Sequence, residues 1–133
     1  MAIKLTKESI DLGIVAADPD GCLTFYRDVL GLEDLGQTEM PGGTMHRLGC
    51  GGSIVKIISL RKPPADNAAP GGLRGATGYR YWTLSVADLE QVVADCEAAG
   101  RRIPVAPTEL RPGVRIAMVE DPDGNWVELL SEA

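Results

Sequence analysis

The sequence predicts an α+β protein made of two tandem βαβββ repeats, and three observations carry that prediction. The first is register: Ala17-Asp18 recurs as Ala87-Asp88 at an offset of seventy residues. The second is a longer match, in which Gly52-Ser-Ile-Val-Lys-Ile-Ile-Ser59 recurs as Gly124-Asn-Trp-Val-Glu-Leu-Leu-Ser131 at an offset of seventy-two. The third is that each half runs through the same order of patterns, one apolar strand, one capped amphipathic helix and three strand-like stretches. An internal repeat decides the architecture before any single element does. Repeat one spans about 9–60, a connecting segment 61–78, and repeat two 79–131, in a single domain whose 133 residues suffice for a real core.

In the first repeat, Ile10 to Ala17 is a short apolar strand with one acid, Asp11, near its start. Asp18-Pro19-Asp20 opens a helix: Asp18 is placed to cap it, Pro19 suits the first helical position, and Asp20 lies at the favourable end of the dipole. Cys22, Leu23, Tyr26, Val29 and Leu30 fall at three- and four-residue steps and define a buried face, with Gly31 as the stop. Strands are predicted at Glu33 to Met40, Thr44 to Cys50 and Ser53 to Leu60, the last apolar on both faces except for Lys56.

Arg61 to Gly78, dense in proline, glycine and alanine, reads as a linker or as a loop able to close over something. In the second repeat, Tyr79 to Val86 alternates as a strand, and Asp88 caps a helix whose inner positions are Leu89, Val92, Val93 and Cys96, stopped by Gly100. Ile103 to Leu110, interrupted by Pro104 and Pro107, suits a sheet edge. Arg115 to Glu120 is a clearer strand. Asp121-Pro122-Asp123-Gly124 is a tight turn, and Trp126 to Leu130 closes the repeat with one internal charge, Glu128. A carboxylate there is paired, bound to a cation, or turned to a wet cavity, because burying it alone is too costly.

Composition narrows the function classes. A net charge of -6 argues against a nucleic-acid or anionic-membrane surface. The first residues lack the apolar core of a secretory signal, and no run reaches a membrane span, so a cytoplasmic location is expected. Cys22, Cys50 and Cys96 are odd in number and lack metal-type spacing, which fits reduced, structural thiols.

Three stretches carry a family resemblance that covers roughly Ser9 to Leu130. Phe25-Tyr26-Arg27-Asp28-Val29-Leu30-Gly31-Leu32, Val86-Ala87-Asp88-Leu89, and Asp121-Pro-Asp-Gly-Asn125 followed by Glu128 resemble the signatures of the vicinal oxygen chelate superfamily. That superfamily includes glyoxalase I, bleomycin-resistance proteins, fosfomycin-resistance enzymes, extradiol dioxygenases and methylmalonyl-CoA epimerase. The resemblance implies that the repeats form a half-open mixed-sheet barrel, and it implies a homodimer. In metal-dependent members, side chains from the first and last strands of each repeat hold one divalent ion, usually as His, Glu, His and Glu. The motifs map those positions onto Asp11, Lys56, Tyr81 and Glu128, of which only Glu128 is the usual residue.

Fold does not settle function, so the residues at those positions decide. Lys56 is a cation and Tyr81 a poor ligand while protonated; no metal is therefore expected. The alternative is a weak oxygen-rich magnesium or manganese site at Asp11 and Glu128. The leading expectation is a small-molecule binding protein that sequesters an antibiotic or metabolite in a cavity between the repeats. Asp11, Lys56, Tyr79, Tyr81 and Glu128 are the candidate ligand-binding residues, Tyr79 at the rim beside Tyr81. Lys56 and Glu128, as register mates, are expected to pair. A structural ionic network ranks second. A proton-transfer enzyme ranks third, with Glu128 or Asp11 as base and Lys56 or Tyr81 steadying an enolate-like oxygen. In enzymatic form the family resemblance implies a metal-dependent lyase, epimerase or dioxygenase. His46 has no assigned side of its strand, and Trp82 and Trp126 are expected in the core between sheet and helix. Arg101-Arg102 reads as a solvated helix end that complements the dipole.

Overall fold

The structure, a computed structural model, describes residues 2–133 and confirms the duplicated unit. The chain clusters into two compact units, Met1–Pro64 and Ala65–Ala133. The first holds β1 (Asp11–Val15), α1 (Pro19–Leu23), a π-helical segment (Thr24–Val29), β2 (Glu33–Met40), β3 (Gly43–Cys50) and β4 (Ser53–Leu60). The second holds a short 3₁₀ turn (Gly72–Arg74), β5 (Tyr81–Ser85), α2 (Leu89–Ala98), β6 (Val105–Arg111), β7 (Val114–Glu120) and β8 (Trp126–Glu132). Each unit folds a four-stranded mixed sheet of one plan, β1-β4-β3-β2 and β5-β8-β7-β6, with the first pair parallel and the others antiparallel.

Both helices begin as the sequence predicts. The Gly21 N–H donates to the Asp18 carboxylate at 3.0 Å, and the Gln91 N–H donates to that of Asp88 at 3.2 Å. Each cap satisfies an amide that the helix itself leaves free, an effect of about 1 kcal/mol. The first helix then departs from the 3.6-residue pattern. The Leu30 N–H donates to the carbonyl of Phe25, five residues back, at 2.9 Å. This wider turn brings adjacent Phe25 and Tyr26 both inside, in an edge-to-face pair with centroids 4.8 Å apart. The predicted face of Cys22, Leu23, Tyr26, Val29 and Leu30 therefore needs correction. Phe25 joins Cys22 and Tyr26 in the core, while Leu23, Val29 and Leu30 are only half-buried.

The most deeply buried residues lie on the helix side of each sheet, although Val114, Ile116 and Met118 are buried on the other face of the second. Leu48, Val55 and Ile57 pack under the first helix, and Ala117, Val119, Val127 and Leu129 under α2 with Leu89, Val93 and Cys96. β6 lies at the sheet edge, as its prolines require, and Pro107 falls in its bulge. The closing turn is built on Asp121, which is buried. Its side chain accepts hydrogen bonds from the N–H groups of Asp123 and Asn125, both at 2.9 Å, and from Asn125 Nδ2 at 3.1 Å.

The second half of the 61–78 segment is organised by Arg80. Its guanidinium donates to the carbonyls of Gly72 at 2.7 Å, Ala69 at 2.8 Å and Pro70 at 3.2 Å. Gly72 lies against the indole of Trp126, so closely that a Cβ there would stand 2.0 Å from the ring. Trp126 is in register with Tyr81 and alternates with buried Val127, so it faces away from α2. The expectation that both tryptophans fill the sheet–helix core is correct in side only for Trp82, which is in register with Val127.

Candidate functional site

The four family positions occupy equivalent places in the two sheets. In the first, Asp11 is in register with Ile54, and Lys56 is two residues further along β4. In the second, Tyr81 is in register with Trp126, and Glu128 is two residues further along β8. Side chains two apart on a strand share a face, so each pair projects from the side of its sheet away from the helix.

Asp11 is held by cations. Its Oδ1 accepts from Lys7 Nζ at 2.8 Å and from the Ile54 N–H at 3.2 Å, and its Oδ2 stands 4.0 Å from Lys56 Nζ. The hydrogen bond from Lys7, with the Ile54 amide and the charge of Lys56, holds the Asp11 carboxyl below the usual aspartate range. Lys7 also reaches the Gly52 carbonyl at 3.5 Å, and Ser9 donates to the same carbonyl at 2.7 Å. The side chains of Asp11 and Lys56 are 31% and 32% exposed, which leaves both accessible.

Glu128 is half-buried, and its Oε1 accepts from the Thr83 hydroxyl at 2.8 Å. Thr83 is its register partner on β5, two residues past Tyr81 and on the same face. Tyr81 is 43% exposed, and Tyr79 lies before the strand with its side chain fully exposed. β5 thus starts two residues later than predicted. The structure brings Asp11 together with Lys56, and Glu128 together with Thr83.

Three residues near these positions are missing from the sequence-predicted site. Lys7 was four residues ahead of Asp11, outside any predicted element. Arg47 is the cross-strand neighbour of Lys56 and shares its face. Thr83 was recoverable, because period-two alternation from Tyr81 reaches it directly.

His46 belongs to the opposite face. It is in register with Ile57, under the first helix, and its Nε2–H donates to Asp34 Oδ1 at 2.7 Å. Arg27 Nη1 stands 4.0 Å from the other oxygen of Asp34, and Arg27 Nε donates to Asp28 Oδ1 at 2.8 Å. The chain's one histidine therefore ties β3 to β2 rather than joining the family positions. Among the described residues, no three His, Cys, Asp or Glu side chains gather in a group able to hold a metal ion.

With the geometry established, comparison with known proteins places the chain. The sequence signature of the Glyoxalase/Bleomycin resistance protein/Dioxygenase superfamily matches residues 10–129. No curated protein sequence matches the chain. Among solved structures, a glyoxalase family protein from Bacillus cereus superposes with a TM-score of 0.79 at 16% identity, over 98% of this chain and 96% of that one. The trypanothione-dependent glyoxalase I of Leishmania major superposes with a TM-score of 0.73 at 24% identity, over 96% and 88%. The antibiotic binding protein TnmS3 from a Streptomyces species superposes with a TM-score of 0.70 at 20% identity, over 100% and 99%. At such identities the likeness is one of fold. No helix among the described residues is long and apolar enough to cross a membrane.

Proposed function

We propose, starting from the fact that the chain belongs to the Glyoxalase/Bleomycin resistance protein/Dioxygenase superfamily, that it binds a small molecule without a resident metal ion and sequesters it. The observation that carries this reading is the environment of the equivalent positions. Asp11 is flanked by the ammonium groups of Lys7 at 2.8 Å and Lys56 at 4.0 Å, both on the carboxylate a metal would need. A divalent ion there would meet two cations, a repulsion of several kcal/mol even at an effective dielectric of about 20. Glu128 has one oxygen engaged by Thr83, and Tyr81 offers a phenol. These residues do not fit the ion usual in the superfamily.

They suit a polar ligand instead. In the first unit Lys56 offers three donors; in the second Tyr81 offers a hydroxyl that gives and accepts, and Glu128 an oxygen not engaged by Thr83. Their partial exposure favours a binding surface over a closed ionic network, in which desolvated charges would each need full compensation. An antibiotic-binding protein of the same fold makes sequestration of an antibiotic or metabolite the natural form of this activity.

The test is a thermal-shift panel of small zwitterionic, cationic and phosphorylated compounds, with and without EDTA. A compound that raises the Tm equally in both conditions and is recovered unchanged supports the reading. Chemical conversion of a panel compound that requires an added divalent ion overturns it in favour of a lyase, epimerase or dioxygenase. The homodimer implied by the family resemblance is tested separately by sedimentation, where a monomer would refute it.

A further inference from the structure

Across the middle of the first sheet runs one row of residues in register: Gly13 on β1, Lys56 on β4 and Arg47 on β3. Lys56 and Arg47 are direct cross-strand neighbours, an arrangement of like charges that sheets ordinarily avoid. Gly13 contributes no side chain, and a Cβ placed on it would meet only Ile58, at 3.8 Å. The row therefore presents two cations beside open space.

Arg47 stands where β2 bulges. Asp34 is in register with Leu48 and Gln37 with His46, so Leu35 and Gly36 together oppose Arg47. Gly36 takes the positive φ of 94° that the bulge requires, and its N–H donates to Asp34 Oδ1 at 2.9 Å. The bulge gives Arg47 one anchor, a long 3.4 Å hydrogen bond from Nη2 to the Leu35 carbonyl. Its Nε–H is shut off from solvent and has no hydrogen-bond partner among the described residues. Buried donors of this kind are uncommon in folded proteins, more so on a guanidinium, and each calls for a partner. The acids on this face are Asp11, already occupied by Lys7 and Lys56, and Glu33, in register with Gly49 one row away at the sheet edge.

We infer that Arg47 and Lys56 form an oxyanion-binding subsite, which takes a carboxylate or phosphate group of the sequestered molecule. On binding, the guanidinium, held by one long 3.4 Å hydrogen bond, rotates out of its enclosed position towards Lys56, so that its Nε–H and one Nη–H donate side by side to two oxygens of the anion. Lys56 adds a point charge from the neighbouring strand. Planar, paired donation is what guanidinium offers and ammonium does not, and it selects two-oxygen groups over halide. The inference rests on the ligand-binding reading and names the chemistry of one end of the ligand.

The test follows the arginine Nε–H resonances of the ¹⁵N-labelled protein during titration with inorganic phosphate and, separately, with acetate, at constant ionic strength. The Arg47 signal should shift saturably with at least one of them. Arg47→Met and Lys56→Met, checked for retained fold by circular dichroism, should each weaken binding about tenfold or more, and Arg61→Met on the exposed loop should leave it unchanged. Equal loss in Arg61→Met would overturn the subsite as mere long-range charge. An unmoved Arg47 signal with both anions, while a neutral or cationic compound still raises the Tm, overturns the subsite and leaves the binding reading intact. If no panel compound raises the Tm either, both fall.

Discussion

Lys56 Nζ lies 4.0 Å from Asp11 Oδ2 across adjacent parallel strands, yet the closer cation on Asp11 is Lys7, at 2.8 Å. The acid thus keeps a partner when Lys56 is removed, and this separates the stability role of Lys56 from its binding role. Part-exposed pairs of this kind contribute little to stability, because water screens them. Lys56→Met should therefore change the urea midpoint little while abolishing most anion binding. A large loss of stability in urea titration would show instead that Lys56 holds the sheet together.

Gly72→Ala should cost about 1–3 kcal/mol, the range for overpacking a tight contact. The added Cβ would collide with the Trp126 ring at a residue whose φ is +54°. Tryptophan fluorescence during urea unfolding reports both the midpoint and the displaced indole; an unchanged midpoint would contradict the contact.

Asp121→Ala should be more damaging. A buried carboxylate that accepts from Asp123 N, Asn125 N and Asn125 Nδ2 organises the turn that delivers β8 and Glu128. Its removal leaves those donors without their acceptor, a loss of about 2 kcal/mol or more. Asp121→Asn, able to accept with one oxygen, should recover part of the loss, as chemical denaturation will show.

Acid should destabilise the first unit through Asp34. Its hydrogen bond from His46, with that from the Gly36 N–H, holds its carboxyl below the ordinary 3.8. A carboxylate depressed on folding stabilises the native state above its unfolded value, and that contribution is lost as pH falls through the folded value. The stability of the wild type should accordingly fall below about pH 4, and Asp34→Asn should flatten that limb. Equal acid slopes for the two proteins would refute the assignment.

Thiol reactivity should single out Cys50. Cys22 and Cys96 are fully buried, and burial, with the negative charge of Asp95, pushes the Cys96 thiol up to about 11. Ellman's reagent at mildly alkaline pH should titrate one thiol per native chain and all three after denaturation. Rapid native labelling of Cys96 would contradict its place under the sheet.

Much of this architecture was legible in the residues. β2 and β4 run over the predicted spans 33–40 and 53–60, and both Asp-capped helices start where predicted, because caps and alternation are local signals. Local reading failed where geometry changed period. The π-helical turn put Phe25 inside against the 3.6-residue count, and the Leu35-Gly36 bulge hid which residues face Arg47. It failed again where the partner is backbone. Nothing in the identities of Ala69, Pro70 and Gly72 announces that Arg80 binds their carbonyls. The positions Asp11, Lys56, Tyr81 and Glu128 followed from the repeat and the motifs, whereas the cations beside them emerged only from the fold, Arg47 from strand register and Lys7 from its contact with Asp11.

The most direct test of a metal-free site is elemental analysis of the purified protein after incubation with manganese, nickel and zinc and removal of free ion. The arrangement of Lys7 and Lys56 around Asp11 predicts far less than one ion per chain for each metal. One tightly held ion per chain, lost in Glu128→Gln, would contradict it.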